Sequence, residues 1–457
     1  MLESYLRNGN AVNLATLAWQ ARGSEMPDTY TLGLKNFRSI EDATVEVAPL
    51  TVVYGPNGSG KSSLIYGLLT LRNFLTNPNQ NVPSLFSYPS ISLGGRNEVV
   101  HRHFPDKSIA LSIGVSNVQK LSSKFTFTLR ESGGMVDLSF NKASLVKDAK
   151  IAGWPLSLSM DIAVPYEGIQ QMDDVFELTP RLPAHSEEGE TDIDHEPVSG
   201  TLHWNGITLS ARVTSNPAAY SDDVAHINER ANLPLELARR TGFVPLRRGF
   251  SKPTYNLANV TPTLNSEDEV ASLLASYPER FGQYEISRFV EKVANRRIQT
   301  QGQIGTSTFS IDSIPTGKEV PASIVNEGFG INQLVYMLTI CLYSRYKIVA
   351  IEEPEIHLHP SMVRELAIAL AEIAVEKDRR LIVSTHSETF VVALLSQIAA
   401  GKISIDDVSF VLAENPNGST VLDPQKANRS GQIEGGLRAF MASGAKDLVD
   451  FLGLSSE

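Results

Sequence analysis

A glycine-rich segment, Gly55–Ser62, constrains this chain more than any other feature. It fits the phosphate-binding pattern G-x-x-x-x-G-K-[ST] at every fixed position. The apolar run Leu50–Tyr54 predicts a strand that enters the segment, and the run from Lys61 to about Phe74 predicts a helix that leaves it. Glycines at such a turn let main-chain N–H groups point at phosphate oxygens, and the helix N-terminus adds a favourable dipole. The segment therefore predicts a nucleotide phosphate site.

The same pattern assigns roles to single side chains. Lys61 would reach the β and γ phosphates of ATP, and the Ser62 hydroxyl would bind Mg²⁺. The alternative is a chance glycine-rich turn, which the flanking strand and helix disfavour. We expect the ATP-binding residues of this loop to be Asn57, Gly58, Ser59, Gly60, Lys61, Ser62 and Ser63.

Two adjacent carboxylates follow a second predicted strand. Four apolar residues, Ile348–Ile351, precede Glu352 and Glu353. Beside a phosphate loop, the first carboxylate can bind the hydration shell of Mg²⁺, and the second can polarise a water in line with the γ phosphate. We therefore assign Glu352 to the metal and Glu353 to catalysis. The alternative is a solvated acidic turn after a core strand.

A histidine ends a third predicted strand. The apolar run that begins at Leu381 leads to His386, and sites in α/β proteins lie at the carboxyl ends of such strands. The imidazole could therefore sense or orient the γ phosphate. A histidine after a strand is more often structural, but the two other motifs favour a catalytic role for His386.

Composition excludes several classes of protein. Of 457 residues, 40 are Lys or Arg and 51 are Asp or Glu, which gives a net charge of −11. With 42% hydrophobic and 20% charged residues, the chain is globular rather than disordered, collagen-like or coiled-coil. The acidic balance argues against bulk coating of nucleic acid but leaves a local basic groove open. A single cysteine, Cys341, excludes an intramolecular disulfide framework and fits a reducing cytoplasm.

Hydropathy gives no sign of a membrane segment. The longest apolar run, Leu334–Tyr343, has about ten residues, whereas a membrane span needs roughly 18 or more. The N-terminus lacks a signal-peptide pattern, because acidic Glu3 comes early. We therefore expect a cytoplasmic protein without membrane contact.

The three motifs, in this order, resemble the head of ABC-type ATPases. The run Leu34-Lys-Asn-Phe-Arg-Ser-Ile40 resembles the N-F-R-S start of SMC-like and OLD-like (overcoming-lysogenisation-defect) ATPases. The run from Glu352 to Pro360, Glu-Glu-Pro-Glu-Ile-His-Leu-His-Pro, is similar to the OLD-like branch in particular. The resemblance is strongest over 30–75 and 322–390.

This resemblance implies two heads that sandwich two ATP–Mg²⁺ at a twofold interface. A signature segment then touches the nucleotide of the partner subunit, and Asn326–Gln333 stands in its place here, with Gly328 and Gly330 as candidate contacts. Glycines at a helix N-terminus also suit an anion site. The segment differs from the L-S-G-G-Q of transporters, and a glycine-kinked core helix is the alternative. The resemblance places Arg38 near the phosphates, whereas a surface arginine beside a hairpin is the alternative.

The expected fold class is therefore α/β: a P-loop NTPase of the ABC-type ATPase head, with a mixed β-sheet lobe and a helical insert. Strand–helix units near both ends predict a parallel sheet covered by helices. We expect helices over 222–240 and 266–299 and a loop over 75–105. The predicted regions are a helical extension at 1–28, the head with the phosphate loop at 29–105, a lateral β region and helical insert at 106–320, and the rest of the head at 321–457.

The OLD-like resemblance also implies partners. Its nuclease domain follows the ATPase, and about 57 residues follow Ala400 here, so we expect no nuclease activity in this chain. We expect a homodimer or higher oligomer that senses or gates a separately encoded effector such as a nuclease, in antiviral defence or DNA transactions. The alternative is a non-hydrolysing, nucleotide-dependent scaffold or an inhibitor of a partner toxin. The missing L-S-G-G-Q disfavours a soluble transporter ATPase.

Weaker features concern DNA and other metals. The basic residues around 239–252 and 296–297 could contact DNA, although pairing with acidic side chains is the favoured interpretation. The spacing of Glu355, His357 and His359 could suggest a metal, but His-x-His is common by chance. The basic residues are Arg239, Arg240, Arg247, Arg248, Lys252, Arg296 and Arg297.

Overall fold

The computed structural model describes most of the chain between residues 29 and 437. The predicted helical extension at 1–28 lies outside the described residues. Those residues are 29–116, 122–140, 157–168, 170–178, 198–213, 221–276, 281–302, 305–317, 320–434 and 436–437.

Helices and strands alternate near both ends, as the sequence predicts. The helices are α1 Lys61–Thr76, α2 Val82–Leu85, α3 Arg96–Val99, α4 Ser221–Arg239, α5 Glu267–Ser276, α6 Phe281–Ala294, α7 Phe329–Leu342, α8 Pro360–Glu376 and α9 Glu388–Ala399. The strands are β1 Thr29–Phe37, β2 Ile40–Val47, β3 Leu50–Tyr54, β4 Ser87–Tyr88, β5 Ile91–Ser92, β6 Ile109–Ser116, β7 Ser122–Leu129, β8 Gly134–Phe140, β9 Ser157–Ile162, β10 Gln170–Leu178, β11 Val198–Trp204, β12 Leu209–Val213, β13 Thr241–Val244, β14 Tyr255–Asn256, β15 Arg296–Gly302, β16 Thr308–Pro315, β17 Ala322–Ser323, β18 Ile348–Glu352, β19 Arg380–Thr385, β20 Val408–Glu414 and β21 Val421–Gln425.

A six-stranded sheet forms the centre of the fold, in the order β13-β18-β19-β3-β20-β21. Its first five strands are parallel, and β21 is antiparallel to β20. Parallel strands buried on both faces are continuously apolar, which explains the unbroken runs in β3, β18 and β19. This order places the three motif strands side by side.

Successive residues of the central strands face two different hydrophobic cores. In β18, Ile348 and Ala350 belong to one core, and Val349 and Ile351 belong to the other. The first core also contains α1, β1, β6 and β7, and the second contains α5 to α9. The sheet is therefore covered on both faces, as parallel sheets require.

A lateral antiparallel sheet packs on the far side of α1, in the order β2-β1-β6-β7-β8-β9. A three-stranded sheet, β10-β11-β12, and a sheet of β14, β16 and β15 complete the mixed architecture. Strand β13, which belongs to the region 106–320, is an edge strand of the central sheet. The expected fold class, an α/β P-loop head with mixed sheets, is confirmed.

Two local predictions are corrected. Residues 296–299 form the start of β15 rather than the end of a helix, because they pair with β16 and only Ile298 among them is buried. That alternation has the period of a strand. The predicted loop at 75–105 contains the short helices α2 and α3 and a small hairpin of β4 and β5. None of the helices in the described ranges combines the length and the apolar character of a membrane span.

Candidate active site

The phosphate loop joins β3 to α1 in a conformation that glycine permits. Gly55, Gly58 and Gly60 have φ angles of 151°, 78° and 92°, which L side chains rarely adopt. A Cβ on Gly55 would also lie 2.2 Å from the carbonyl oxygen of Ala413 in β20. Backbone conformation and close packing both explain these glycines. Asn57 and Gly58 are exposed at the tip of the loop, where a ligand can reach them.

Lys61 is buried at the first position of α1. Its Nζ donates to the carbonyl oxygens of Gly55 and Pro56, both at 2.9 Å, so it closes the loop on itself. Burial lowers the pKa of Lys61, and the carboxylates of Glu353 and Glu355 oppose that shift. The lysine therefore lies within electrostatic reach of the acidic segment, although the two are almost 300 residues apart in sequence.

Two hydroxyl groups support the loop from outside it. Thr420 Oγ1 hydrogen-bonds to the carbonyl oxygen of Ser59 at 2.9 Å and to Ser39 Oγ at 2.7 Å. Ser39 Oγ in turn lies 3.2 Å from Ser63 Oγ. Ser39 comes from the turn between β1 and β2, and Thr420 from the connection before β21, so three distant segments meet under Gly60.

The register of the parallel strands brings the motifs together. Glu352, the last residue of β18, pairs with Ser384 of β19, and Thr385 pairs with Tyr54, the last residue of β3. The carboxyl ends of the three strands therefore lie at one edge of the sheet. This edge carries the phosphate loop, the two acidic residues and His386.

Glu352 is buried beside the start of α1. Tyr66 Oη donates to Glu352 Oε2 at 3.1 Å. Burial raises the pKa of Glu352, and hydrogen bonding to the Ser62 and Tyr66 side chains opposes that rise. The two residues predicted to bind Mg²⁺, Ser62 and Glu352, are thus together. A hydroxyl and a carboxylate are the oxygen ligands that Mg²⁺ prefers, so the residues present fit this ion.

Glu353 and His386 face each other at the rim of the site. His386 Nδ1 lies 3.4 Å from Glu353 Oε1 and 3.5 Å from Glu355 Oε1. The imidazole is exposed, Glu353 is half-buried and Glu355 is buried. Glu355 Oε1 also accepts from Thr385 Oγ1 at 2.5 Å and from the His386 N–H at 3.1 Å. The buried carboxylate therefore fixes the segment that carries His386.

Arg38 lies against Tyr66, the side chain that donates a hydrogen bond to Glu352. Its guanidinium stands 5.1 Å from the ring centroid of Tyr66, a favourable cation–π distance. Its buried Nη1 has no hydrogen-bond partner among the residues described. The carbonyl of Arg38 is bonded to His101 Nδ1 at 2.9 Å, so the turn is held in place. Arg38 therefore lies beside Tyr66, which donates to Glu352, and its proximity to the phosphates stays a prediction.

The signature-like segment opens α7, with Gly328 as the helix cap. A Cβ on Gly330 would lie 2.6 Å from the carbonyl oxygen of His357, whereas one on Gly328 would meet nothing within 4 Å. Phe329 between them is 75% exposed, and its ring centroid lies 5.7 Å from that of His357. The neighbours of Gly330 are His357 and Leu358 rather than the phosphate loop of the same chain.

The basic residues are largely occupied within the chain. Arg240 and Arg248 donate to main-chain carbonyls, and three others form ion pairs with carboxylates. The favoured interpretation, pairing with acidic side chains, therefore holds for Arg239, Lys252 and Arg296. No cluster of three or more His, Cys, Asp or Glu side chains suited to a metal occurs in the part of the chain described. The ion pairs are Arg239–Glu236, Lys252–Asp268 and Arg296–Glu327.

Five residues of the site escaped prediction from the sequence. Tyr66 could have been found, because it follows Ser62 by four residues and so shares its helix face. Thr385 directly precedes His386, and Glu355 lies two residues after Glu353, but the sequence suggested at most another metal for Glu355. Arg248 and Thr420 reach the site from distant segments, and no local signal assigns them to it.

Two family models match the chain. A model described as AAA domain matches residues 31–135, and a model described as AAA ATPase domain matches residues 255–391. The first match contains the phosphate loop, and the second contains Glu352, Glu353 and His386. The chain has a P-loop ATPase fold. Among curated proteins, none matches this sequence.

Solved structures of similar architecture include heads of SMC proteins. The SMC head domain from Thermotoga maritima is 10% identical, with a TM-score of 0.38, over 87% of this chain and 98% of that chain. An Smc head domain with an extended coiled coil, bound to the C-terminal domain of ScpA derived from Pyrococcus furiosus, is 11% identical, with a TM-score of 0.39, over 87% and 96%.

Proposed function

We propose that this chain binds ATP with Mg²⁺ and hydrolyses it, with Glu353 as the general base. One observation carries the proposal: adjacent parallel strands end at a common edge that bears the phosphate loop, Glu352, Glu353 and His386. Lys61, inside electrostatic reach of Glu353, is suited to the β and γ phosphates. The two halves of the site lie in the two segments that match ATPase domains.

The residues divide the work by their burial. Glu352 is buried and bonded to Tyr66, so it suits a fixed metal-binding role rather than proton transfer. When bound there with Ser62, Mg²⁺ would neutralise charge on the phosphates. Glu353 is half-buried and accessible to water, so its carboxylate can accept a proton from the attacking water. His386, 3.4 Å away, holds that carboxylate or a water beside it.

We propose further that two copies complete each other's sites. Gly328 and Phe329 lie exposed at the start of α7, and Gly330 faces the His357 carbonyl of its own chain. A segment that caps a helix and projects outward is suited to the phosphates of a second copy. We propose that the chain belongs to the OLD-like branch. Its assembly would then sense or gate a separately encoded effector, such as a nuclease, in antiviral defence or DNA transactions.

The test compares wild-type protein with Glu353→Gln and Lys61→Ala. Glu353→Gln should retain Mg²⁺–ATP but release phosphate at least about 100-fold more slowly, because general-base catalysis contributes roughly that much or more. Lys61→Ala should lose ATP binding. Exposed Glu98, which lies outside the strand edge, supplies the control Glu98→Gln, and its turnover should equal that of the wild type.

Each outcome separates the candidate functions. Normal turnover in Glu353→Gln would remove the assignment of the base. ATP binding by the wild type without phosphate release would favour the nucleotide-dependent scaffold or toxin inhibitor. Failure of the wild type to retain ATP with Mg²⁺ would refute both. Mass measurement of Glu353→Gln with and without ATP tests the proposed dimer, and turnover with added DNA tests the DNA role.

A further inference from the structure

One arginine, Arg248, reaches the acidic edge but takes no part in the proposed ATP binding or hydrolysis. Arg248 lies on the connection that follows β13, and its guanidinium donates to three main-chain carbonyls. Nη1 donates to Glu352 at 2.8 Å and to Pro245 at 3.0 Å, and Nη2 donates to Glu353 at 2.9 Å. Among the described residues, no carboxylate forms an ion pair with Arg248. A guanidinium group usually pairs with carboxylates. Here it donates instead to the main-chain carbonyls of Glu352 and Glu353.

Arg248 keeps its positive charge in this environment. Burial lowers its pKa to about 10, and the carboxylates of Glu355, Glu352 and Glu353 oppose that shift. The group therefore stays ionised at neutral pH. Hydrogen bonds from a charged donor are stronger than those between neutral groups, so the bonds to the two carbonyls hold this backbone firmly.

The backbone of Glu353 needs such support. Its φ of 39° lies in the left-handed region, which is unfavourable for a residue with a side chain. Its N–H donates to the carbonyl oxygen of Ser384 at 2.8 Å, and its own carbonyl accepts from Arg248. Such strain persists where surrounding groups fix the conformation. Because the backbone angles set the direction of the side chain, these two bonds aim the Glu353 carboxylate toward His386.

The segment that carries Arg248 is also fixed to the signature-like helix. Two residues later, the Phe250 N–H donates to Asn332 Oδ1 at 2.6 Å, and Asn332 Nδ2 donates back to the Phe250 carbonyl at 2.8 Å. Asn332 Nδ2 also bonds to the carbonyl of Ile324 at 3.2 Å. Asn332 is buried in the first turn of α7. Residues 248–250 therefore connect the start of α7 to the end of β18.

We propose that Arg248 is a positioning residue for Glu353. We propose also that this positioning depends on where the start of α7 lies, because Asn332 of α7 is hydrogen-bonded to Phe250. The inference rests on the proposed ATP hydrolysis, in which Glu353 is the base. In this proposal, contact of a second copy with the exposed start of α7 also affects catalysis. The effect reaches the backbone of Glu353 through Asn332, Phe250 and Arg248. Neither Arg248 nor Asn332 touches the substrate in this proposal.

The first test is kinetic and uses the full chain. Arg248→Gln should lower kcat about 100-fold, the loss expected when a reacting group is misplaced by about 1 Å. KM and the dissociation constant for Mg²⁺–ATP should stay within about threefold of the wild type, because the phosphate loop is untouched. The matched control is Arg247→Gln, the exposed neighbour, which should behave as the wild type.

Two further measurements separate positioning from general support of the fold. Guanidinium ion at low concentration should restore part of the turnover of Arg248→Ala but none of that of Glu353→Gln. The kcat losses of Arg248→Gln and Asn332→Ala should be non-additive in the double variant, since both act through one connection. Additive losses would overturn the link to α7, and unchanged kcat in Arg248→Gln would overturn the positioning role. A parallel loss of kcat and ATP binding would also overturn it.

A measurement without turnover keeps this inference distinct from the proposed function. In nucleotide-free protein, the peptide that contains Glu353 should exchange its amide hydrogens faster in Arg248→Gln and in Asn332→Ala than in the wild type or Arg247→Gln. Unchanged exchange in both variants would refute the inference even if the wild type hydrolyses ATP. Faster exchange in the two variants, found together with a wild type that does not hydrolyse ATP, would support the backbone link while refuting the proposed function.

Discussion

Replacement of Gly60 by alanine tests how the phosphate loop is built. Gly60 has a φ of 92°, and a Cβ there would lie 1.9 Å from Thr420 Oγ1 and 2.6 Å from Ser39 Oγ. Two separate costs follow from these values. The alanine would be strained in the left-handed region, and Thr420 would have to move out of its place under the loop.

The magnitude follows from the contacts that would be lost. The left-handed backbone costs alanine about 1 kcal/mol relative to glycine. Displacement of Thr420 breaks its hydrogen bonds to Ser59 and Ser39, at about 1 kcal/mol each. Gly60→Ala should therefore lower the free energy of unfolding by about 3 kcal/mol. It should also weaken ATP binding, because Ser59 belongs to the same loop.

Gly418 supplies a matched control. It has a similar φ of 77°, but a Cβ there would meet nothing within 4 Å. Gly418→Ala should therefore cost only the backbone strain, about 1 kcal/mol. Denaturant unfolding of both variants measures the difference. Thr420→Ala should cost less in the Gly60→Ala background than in the wild type, because the hydrogen bonds of Thr420 are already lost there. Equal destabilisation by the two alanines, or an equal cost of Thr420→Ala in both backgrounds, would refute the steric argument.

Two further predictions concern the buried carboxylates. The pKa of Glu352 is raised in the folded protein, so its contribution to stability is present at low pH and is lost as the pH rises from 4.5 through the raised value. In magnesium-free buffer, the stability of Glu352→Gln relative to the wild type should therefore increase with pH. A difference in thermal unfolding that does not change with pH would contradict this. Thr385→Val removes a hydrogen-bond donor from buried Glu355 and should lower the free energy of unfolding by about 1–3 kcal/mol. The control Thr339→Val loses only a bond to a helix carbonyl and should lower it less. Equal losses in denaturant unfolding would count against the role of Thr385.

The strands that lead into the three motifs could be predicted from residues next to each other in sequence. Gly55–Ser62, the pair Glu352–Glu353 and His386 each follow an apolar run, and each run is a strand of the central sheet. A buried parallel strand is short and apolar, and its end is marked by the first polar residues. The fold class could be predicted for the same reason. The strand at 296–299 was missed because a single residue, Asn295 with a left-handed φ of 53°, separates it from the helix that ends at Ala294.

The hydrogen bonds that Thr420 and Arg248 make with the site were not predicted. Thr420 lies 361 residues from Ser59, and Arg248 lies 104 residues from Glu352, yet each pair is hydrogen-bonded. Such contacts depend on which strands are neighbours and on their register. A single sequence does not specify either, because many arrangements of the same strands would bury the same apolar runs.

The sequence alone therefore determined which side chains carry the proposed chemistry, because a glycine-rich turn and strand-end carboxylates have local patterns. The tertiary structure alone decided how those side chains are held and aimed. It placed Thr420 and Ser39 beneath Gly60 and placed Arg248 on the backbone of Glu353. The physical reason is that local conformation follows from neighbouring residues, whereas support between segments exists only once the sheet has ordered its strands.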